Sequence, residues 1–496
     1  MPVMVDTKKW IFYKHTNNYE IIQAIALDVK NSCKTEVSEL ERYRMQERQH
    51  ALDLYNTRNP TNRPLDSMNH RINTLEYYMF GYEDINGGNK RFIFSPLGNL
   101  FLKHINNPSN LQQIFTTMLF GIQLEHPANN PSSYFQLYPF RLIFQLLLDS
   151  RLDYKLNHFE EALLLPFIRT MNDSEYENLV SKILKLRQKS VEEIKELLLS
   201  DEHLYVNTVY EWQYYVTGLL VDAGVLNKEE GDPICTLYHP VKKSGTVPTK
   251  RIAKLGYVSL RSEVIPLLKE LFKTYSISDP PVNLRDSTKL RMDAVKEVYS
   301  FYPTCLLKRI GESETISELL ELPRLINKYS LNGEHGDCYG FERILAKGFE
   351  QFYNVEVKLM GGAGHTDIEC LFMPKKKKFD VEAKSTSNKL TGINAGRLRL
   401  HRKEIGSKYT IVVTPRYTPS VVEDIAQSET VIILANTLAE FLYNHIFADI
   451  REIDYTIIDD IIEPNLGTDI SEKIHEYTMS AFAAKVETSK RGEVIV

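Results

Sequence analysis

Two short stretches in the last third of the chain bring together side chains that could do chemistry. In TDIECLFM (366–373) and FDVEAK (379–384), extended backbone sends alternate side chains to opposite faces. Asp367 and Glu369 then share one face of the first stretch, and Asp380, Glu382 and Lys384 share one face of the second. The positions between them, Ile368, Cys370, Val381 and Ala383, are apolar. Carboxylates on an otherwise apolar sheet are costly to bury unless something pairs with them. A divalent cation is such a partner. Phosphodiester hydrolysis uses this set: hard oxygen ligands hold Mg²⁺, which keeps several waters and binds the phosphate. The metal polarises the phosphoryl oxygen and helps generate hydroxide, and a lysine orients the water or neutralises charge developing at phosphorus. The alternative is a hairpin laced by ion pairs, with Lys384 bridging Glu369 or Glu382.

Fourteen residues separate Asp367 from Glu382. A symmetric turn over Lys375 to Lys378 would set Pro374 opposite Phe379 and Glu369 opposite Lys384, leaving Asp367 several residues from Glu382. Either a bulge or a longer loop shifts that register, or Glu369 replaces Asp367 as ligand. Asp367 is preferred because it adjoins the glycine-rich GGAG (361–364), with Glu369 in reserve. Downstream lies STSNKLTGINAGRLRLHRKEIG (385–406). Its first residues, Ser385 to Asn388, suit phosphate contacts, and Asn394, Arg397, Arg399, His401 and Arg402 could approach the backbone of a cleaved strand. A solvated basic helix is the competing reading. His365 reads as incidental, and lysines 375–378 as a solvated turn.

The elements that must position these residues divide into four regions. Residues 1–130 are mixed: a helical pattern over Tyr19 to Val29, an arginine-rich stretch, and a hairpin over 76–96 turning at Gly87-Gly88. A short helix, LGNLFLKHI, follows, and the unit reads as winged-helix-like. Residues 131–280 show helical periodicity at 138–150, 159–171, 190–200 and 211–226, then a strand and helix over 251–272. They read as a second winged-helix-like recognition domain. Residues 281–333, with Pro280-Pro281 at their start, read as a helical linker. Residues 334–496 read as an α/β domain with a mixed sheet, in the order α-β-β-β-α-β-α-β-α. Its first helix, 339–353, carries Phe341, Ile344, Leu345 and Phe349 on one side. The fold class expected is therefore multidomain, mainly α and α/β.

Composition narrows the function. With 43% hydrophobic and 25% charged residues, the chain is ordinary for a globular protein. No apolar run is long enough for a membrane span, and the first residues do not read as a secretory signal. Cys33, Cys235, Cys305, Cys338 and Cys370 lack metal-ligand spacing and read as free thiols in a reducing cytoplasm. The net charge of −5 is no footprint of nucleic-acid binding, so that reading depends on local charge. Between residues 42 and 71 stand six arginines and no lysine: Arg42, Arg44, Arg48, Arg58, Arg63 and Arg71. Asparagine and histidine are interleaved with them. Guanidinium forks read guanine edges and clamp phosphates, and asparagine reads adenine. Ordinary ion pairs to Glu41, Glu47 and Asp53 are the alternative.

Asp367 followed by Glu382-Ala383-Lys384 resembles the PD-(D/E)xK nuclease motif, with Thr366 where proline often stands. Glu342 matches the acidic residue of that superfamily's first core helix, which implies a third metal contact. HRINTLEYYMFGYEDINGGNKRFIFSPLGNLFLKH (70–104), EWQYYVTGLLVDAGVL (211–226), FERILAKGFE, GHTDIE and VEAKST together resemble type IIS restriction endonucleases of the AlwI-like group and the related strand-nicking enzymes. The resemblance implies a Mg²⁺-dependent enzyme, with Mn²⁺ substituting, that binds a short asymmetric site in double-stranded DNA and cuts a few base pairs to one side. It further implies a transient homodimer or second subunit for double-strand cleavage, a companion DNA methyltransferase and a prokaryotic cytoplasm. Strand-specific nicking, another PD-(D/E)xK repair or transposition nuclease, and a DNA-binding regulator with a degenerate nuclease fold are the competing functions.

Overall fold

A computed structural model describes residues 9–10, 17–31, 39–51, 66–86, 89–128, 135–239, 250–286, 291–311, 314–331, 338–360, 365–448, 450 and 452–490. The chain forms two compact units. One is Met1–Leu284 with Val298–Ile310, and the other is Arg285–Glu297 with Gly311–Val496. The stretch expected as a linker, 281–333, thus contributes to both.

In the first unit, helices Tyr19–Asn31, Glu39–Ala51 and Asp66–Tyr77 precede an antiparallel hairpin, Gly81–Asn86 with Asn89–Phe94. Its turn glycines, Gly87 and Gly88, lie outside the described residues, as do Arg58 and Arg63. Ser95 then caps helix Pro96–Lys103, accepting from the Gly98 N–H with proline in the first turn. Two expectations need correction. The helix expected over 159–171 stops at Leu163, because Pro166 cannot continue it, and a 3₁₀ turn, Leu165–Phe167, follows. The single strand expected before the helix Ile265–Thr274 is two, Lys250–Lys254 and Tyr257–Leu260, broken at Gly256. A Cβ at Gly256 would meet the Glu229 carbonyl oxygen, so only glycine fits there.

The second unit carries a five-stranded mixed sheet. Helices α1 (Glu314–Ser330) and α2 (Cys338–Phe349) lead into strands β1 (Val355–Leu359), β2 (Ile368–Phe372) and β3 (Lys377–Ala383). Then come α3 (Ala395–Ile405), β4 (Thr410–Thr414), α4 (Ser420–Ile425), β5 (Thr430–Leu434) and α5 (Ala435–Phe447). From α2 to α5 this is the order expected. Two further helices, α6 (Thr456–Ile462) and α7 (Ser471–Lys490), follow. The strands lie in the order β5-β4-β3-β2-β1. β1, β2 and β3 pair antiparallel, and β3, β4 and β5 pair parallel. Strand β4 (TIVVT) is buried at every position, as a central parallel strand covered on both faces must be. On one face Val412 and Ile432 pack against Leu398, Val421 and Ile425 from α3 and α4.

The opposite face is built on aromatic rings. Phe379 is fully buried and stacks on Tyr455, with centroids 4.6 Å apart and planes 2° from parallel, and on Tyr409 at 5.5 Å. Both hydroxyls are satisfied: Tyr409 and Tyr455 lie 3.0 Å apart, and Tyr409 donates to Asp459 Oδ1 at 2.7 Å. Lys375 and Lys377 also reach Asp459, at 2.7 and 2.8 Å. The turn lysines 375 and 377 are therefore anchored to α6, which corrects the solvated turn expected. Truncation of Phe379 to alanine removes the centre of this stack and should cost about 3–5 kcal/mol. A shifted denaturant midpoint of the full-length protein would show it; an unchanged midpoint would mean that the stack does not hold the sheet.

Candidate active site

The β2–β3 hairpin decides which carboxylates meet. Its pairs run from Lys377↔Phe372 through Asp380↔Glu369 to Val381↔Ile368, so the next pair is Glu382 with Asp367. The turn occupies Met373 to Lys376, two residues upstream of the symmetric turn expected, and Lys376 adopts φ +48 within it. That shift removes the register difficulty. Glu369 lies across from Asp380 and pairs with Lys378 at 2.6 Å, whereas Asp367 lies beside Glu382.

Both ends of the pair are held by backbone. The Ala383 N–H donates to Asp367 Oδ2 at 2.7 Å, and the Met360 N–H donates to the Asp367 carbonyl at 2.9 Å. The Lys384 N–H continues the parallel ladder to Val413 O at 2.9 Å. The Lys384 ammonium donates to Glu382 Oε1 at 2.6 Å. Glu382 is 1% exposed, and its Oε2 is buried with no hydrogen-bond partner. An unpartnered buried carboxylate oxygen is where a cation fits.

The electrostatics agree. Burial, followed by the neighbouring Glu382 charge, pushes the Asp367 carboxyl up to about 7, against the pull of the Ala383 N–H and Lys384. Glu342 on α2 adds to the same negative field, which places it within electrostatic reach of Asp367. Asp380 shares the face and is pushed up to about 6 by burial, countered by hydrogen bonds from Ser407 and Thr410. Its Oδ1 accepts from the Ser407 hydroxyl and its Oδ2 from Thr366 at 3.4 Å, so Asp380 is committed to the protein. Among the described residues, no group of three His, Cys, Asp or Glu side chains converges to cage an ion. The pair Asp367 and Glu382 instead fits a cation that takes one or two carboxylates and completes its shell with water and phosphate.

Helix α3 sorts the basic residues. Asn394 is its N-cap, accepting from the Arg397 N–H at 2.9 Å, and Gly406 ends it at φ +71. Arg397 and Arg399 are exposed. Arg402 points inward and is 5% exposed. It donates to Thr410 and Thr430 at 2.8 and 3.0 Å and to Glu429 at 2.9 Å. That corrects the backbone contact expected of it, since its donors are spent tying α3 to the starts of β4 and β5. His401 is also buried, 4.0 Å from Glu382 Oε2. The signal for both was helical spacing: 398, 401 and 402 form one stripe, and Leu398 marks it as inward. His365 is exposed beside Glu404, at 3.3 Å.

The arginine-rich stretch is sorted likewise. Arg42 is buried, donating to Asn69 and to Glu83 Oε1 at 2.6 Å, so it joins a helix to the hairpin rather than facing a duplex. Arg44 pairs with Glu41 at 3.2 Å, Arg48 with Asp28 at 3.1 Å and Glu41 at 3.3 Å, and Arg71 donates to Gln49. Arg44 and Arg48 are exposed.

A family model described as "Type II restriction endonuclease HgaI, N-terminal domain" matches residues 5–275. Over 480 residues the chain is 44% identical to the type II restriction enzyme HgaI of Avibacterium volantium, covering 96% of this chain and 98% of that one. The chain belongs to the HgaI family of type II restriction endonucleases. Two structures of restriction endonuclease FokI, one of them bound to DNA, are similar over 91% and 94% of this chain and 98% and 100% of theirs. Identity is 10% and 9% and the TM-scores are 0.25 and 0.26. As a member of the HgaI family the chain is a site-specific deoxyribonuclease, with DNA as its partner. Restriction endonucleases of this kind generally use divalent metal ions. No helix among the described residues is long and apolar enough to cross a membrane.

The raised Asp367 carboxyl has a stability consequence. Its value is about 7 in the folded chain against an ordinary 3.8. The folded state therefore binds this proton more tightly than the unfolded state. The penalty is absent below 3.8, grows as pH rises, and is complete above about 7. In chelator, Asp367→Asn should unfold at the same temperature as the parent near the low end of this range. It should gain several degrees at the high end. A melting difference that stays constant across the range would contradict the assignment.

Proposed function

We propose that this HgaI-family enzyme cleaves DNA through a PD-(D/E)xK site in its second unit. Asp367 and Glu382 would be cation ligands, Lys384 the catalytic lysine and Glu342 an auxiliary acidic residue. The observation that carries the reading is the Asp367–Glu382 pairing, with Lys384 on one oxygen of Glu382 and the other oxygen buried and unpartnered. The cation would be Mg²⁺, replaceable by Mn²⁺, and when bound it would polarise the scissile phosphate and lower the pKa of a coordinated water. The chain's own residues do the rest. The Ala383 N–H fixes the direction of Asp367, and Lys384 stands ready to steady charge at phosphorus once phosphate competes with Glu382 for its ammonium. Ser385, Asn394, Arg397 and Arg399 follow in the chain, and Arg397 and Arg399 are the exposed cations best suited to the cleaved strand.

Recognition falls to the first unit, read as two winged-helix-like domains, 1–130 and 131–280, with Arg44 and Arg48 as the exposed described arginines for DNA contact. Arg71 is tied to Gln49, and Arg58 and Arg63 remain candidates from the sequence. The AlwI-like resemblance supports a short asymmetric site in duplex DNA and a cut a few base pairs to one side. One active site per chain cuts one strand, so double-strand cleavage calls for a transient homodimer or a second subunit. A companion methyltransferase and a prokaryotic cytoplasmic setting belong to the same reading.

The test is cleavage of plasmid DNA followed by run-off sequencing of the ends. One fixed offset from one short sequence supports the reading, and structure-dependent ends favour a repair nuclease. Asp367→Ala, Glu382→Ala and Lys384→Ala should each lower the cleavage rate on the order of 10³-fold while duplex binding persists. Glu369→Gln should stay near the parent rate, because its carboxylate is held by Lys378. Retained cleavage by Glu382→Ala would sink the site; a dead Glu369→Gln with an active Asp367→Ala would exchange the two acids.

A further inference from the structure

Two buried polar atoms face each other across the gap between β3 and α3. Glu382 Oε2 and His401 Nδ1 are each shut off from solvent, each without a hydrogen-bond partner, and 4.0 Å apart. The two residues are 1% and 5% exposed. On the inward stripe of α3, Leu398 packs in the apolar cluster and Arg402 spends its donors on Thr410, Thr430 and Glu429. His401 alone on that stripe turns an unused nitrogen toward the carboxylate. Its other nitrogen, Nε2, accepts from Arg397 Nε at 3.5 Å. A ring nitrogen that accepts carries no proton, so in the neutral ring the proton sits on Nδ1 and points to the Glu382 side.

We propose that His401 is a positioning residue for Glu382. Its Nδ1–H steadies Oε2 while Lys384 holds Oε1, and Arg397 fixes the tautomer from behind. Each carboxylate oxygen accepts about two hydrogen bonds or metal contacts. Both oxygens therefore keep a lone pair for a cation. The gap must close by about 1 Å for a hydrogen bond, and such contacts tighten when a site is loaded. The inference rests on the reading of Glu382 as a cation ligand.

Three substitutions in the full-length enzyme separate the roles of His401. His401→Asn places an amide nitrogen where Nδ1 stands, His401→Gln places it one bond further out, and His401→Ala removes the donor. The readouts are binding of Mn²⁺ alone, followed by loss of the free-ion electron paramagnetic resonance signal, and Mg²⁺-dependent cleavage of plasmid DNA. His401→Ala and His401→Gln are expected to weaken Mn²⁺ binding and slow cleavage by about 10–100-fold, the usual effect of losing a group that orients a metal ligand. His401→Asn is expected to stay close to the parent in both. Parent-like Mn²⁺ binding and cleavage by His401→Gln overturn the proposal, as does a His401→Asn enzyme as impaired as His401→Gln. If His401→Ala does not fold, the Asn–Gln comparison decides. Glu382→Ala serves as the control: if it binds Mn²⁺ and cleaves like the parent, the reading of Glu382 itself has failed. If Glu382→Ala is inactive while the His401 series is indifferent, only the positioning role has failed.

Discussion

The register of one hairpin decides which acidic side chains of the second unit meet. Side chains on a strand alternate with period two, so a slip by one residue would turn every carboxylate of β3 to the other face. A slip of two in the position of the turn would pair Glu382 with a different partner. What holds the observed register is a set of contacts on the far face of the sheet. Phe379 sits between Tyr409 and Tyr455, and Lys375 and Lys377 converge on Asp459. Those groups lie on the face away from Glu382, yet they set where the turn begins and so bring Asp367 to it.

The cost of that arrangement is spread over the same sheet. Asp367, Glu369, Asp380 and Glu382 share a face on which an isolated charge is expensive. All four have a protein donor: Lys378 on Glu369, Ser407 and Thr366 on Asp380, the Ala383 N–H on Asp367 and Lys384 on Glu382. Asp367 and Glu382 lie side by side, and Glu382 keeps a buried oxygen without a hydrogen-bond partner. The Asp367 carboxyl, raised by burial and by the neighbouring Glu382 charge with Lys384 close by, has a pattern common at functional groups. The sheet thus commits both Asp380 oxygens to protein hydroxyls and leaves Glu382 Oε2 open for the chemistry proposed.

The basic residues are sorted by the same logic. Arg42 and Arg402 are guanidinium struts, each satisfied by protein oxygen atoms and nearly closed to solvent. A buried guanidinium needs several acceptors, and both positions supply them. Arg44, Arg48, Arg397 and Arg399 remain on the surface, where phosphate can compete for them. Arginine serves either use, as a buried strut with several acceptors or as an exposed cation of the kind proposed to meet DNA.

Much of this was legible in the residues themselves. The alternation around Asp367, Glu382 and Lys384 pointed to the chemistry proposed for them, and strand and helix patterns from Phe341 to Ile446 gave the order of elements along the chain. Helix ends followed local rules at Asn394 and Gly406, and a local rule at Pro166 was overlooked. The choice between Asp367 and Glu369 as neighbour of Glu382 was not legible, because it depends on Tyr409, Tyr455 and Asp459, distant in sequence from the turn they anchor. Nor was the inward direction of Arg42, since charge predicts exposure until a facing acceptor is known; for His401 and Arg402 the stripe shared with Leu398 carried the signal, but not the partners they meet. The sequence by itself determined which groups were available, because periodicity and residue chemistry are local. The tertiary structure alone decided which of them meet and which stay unpaired, because pairing and burial come from contacts between segments far apart in the chain.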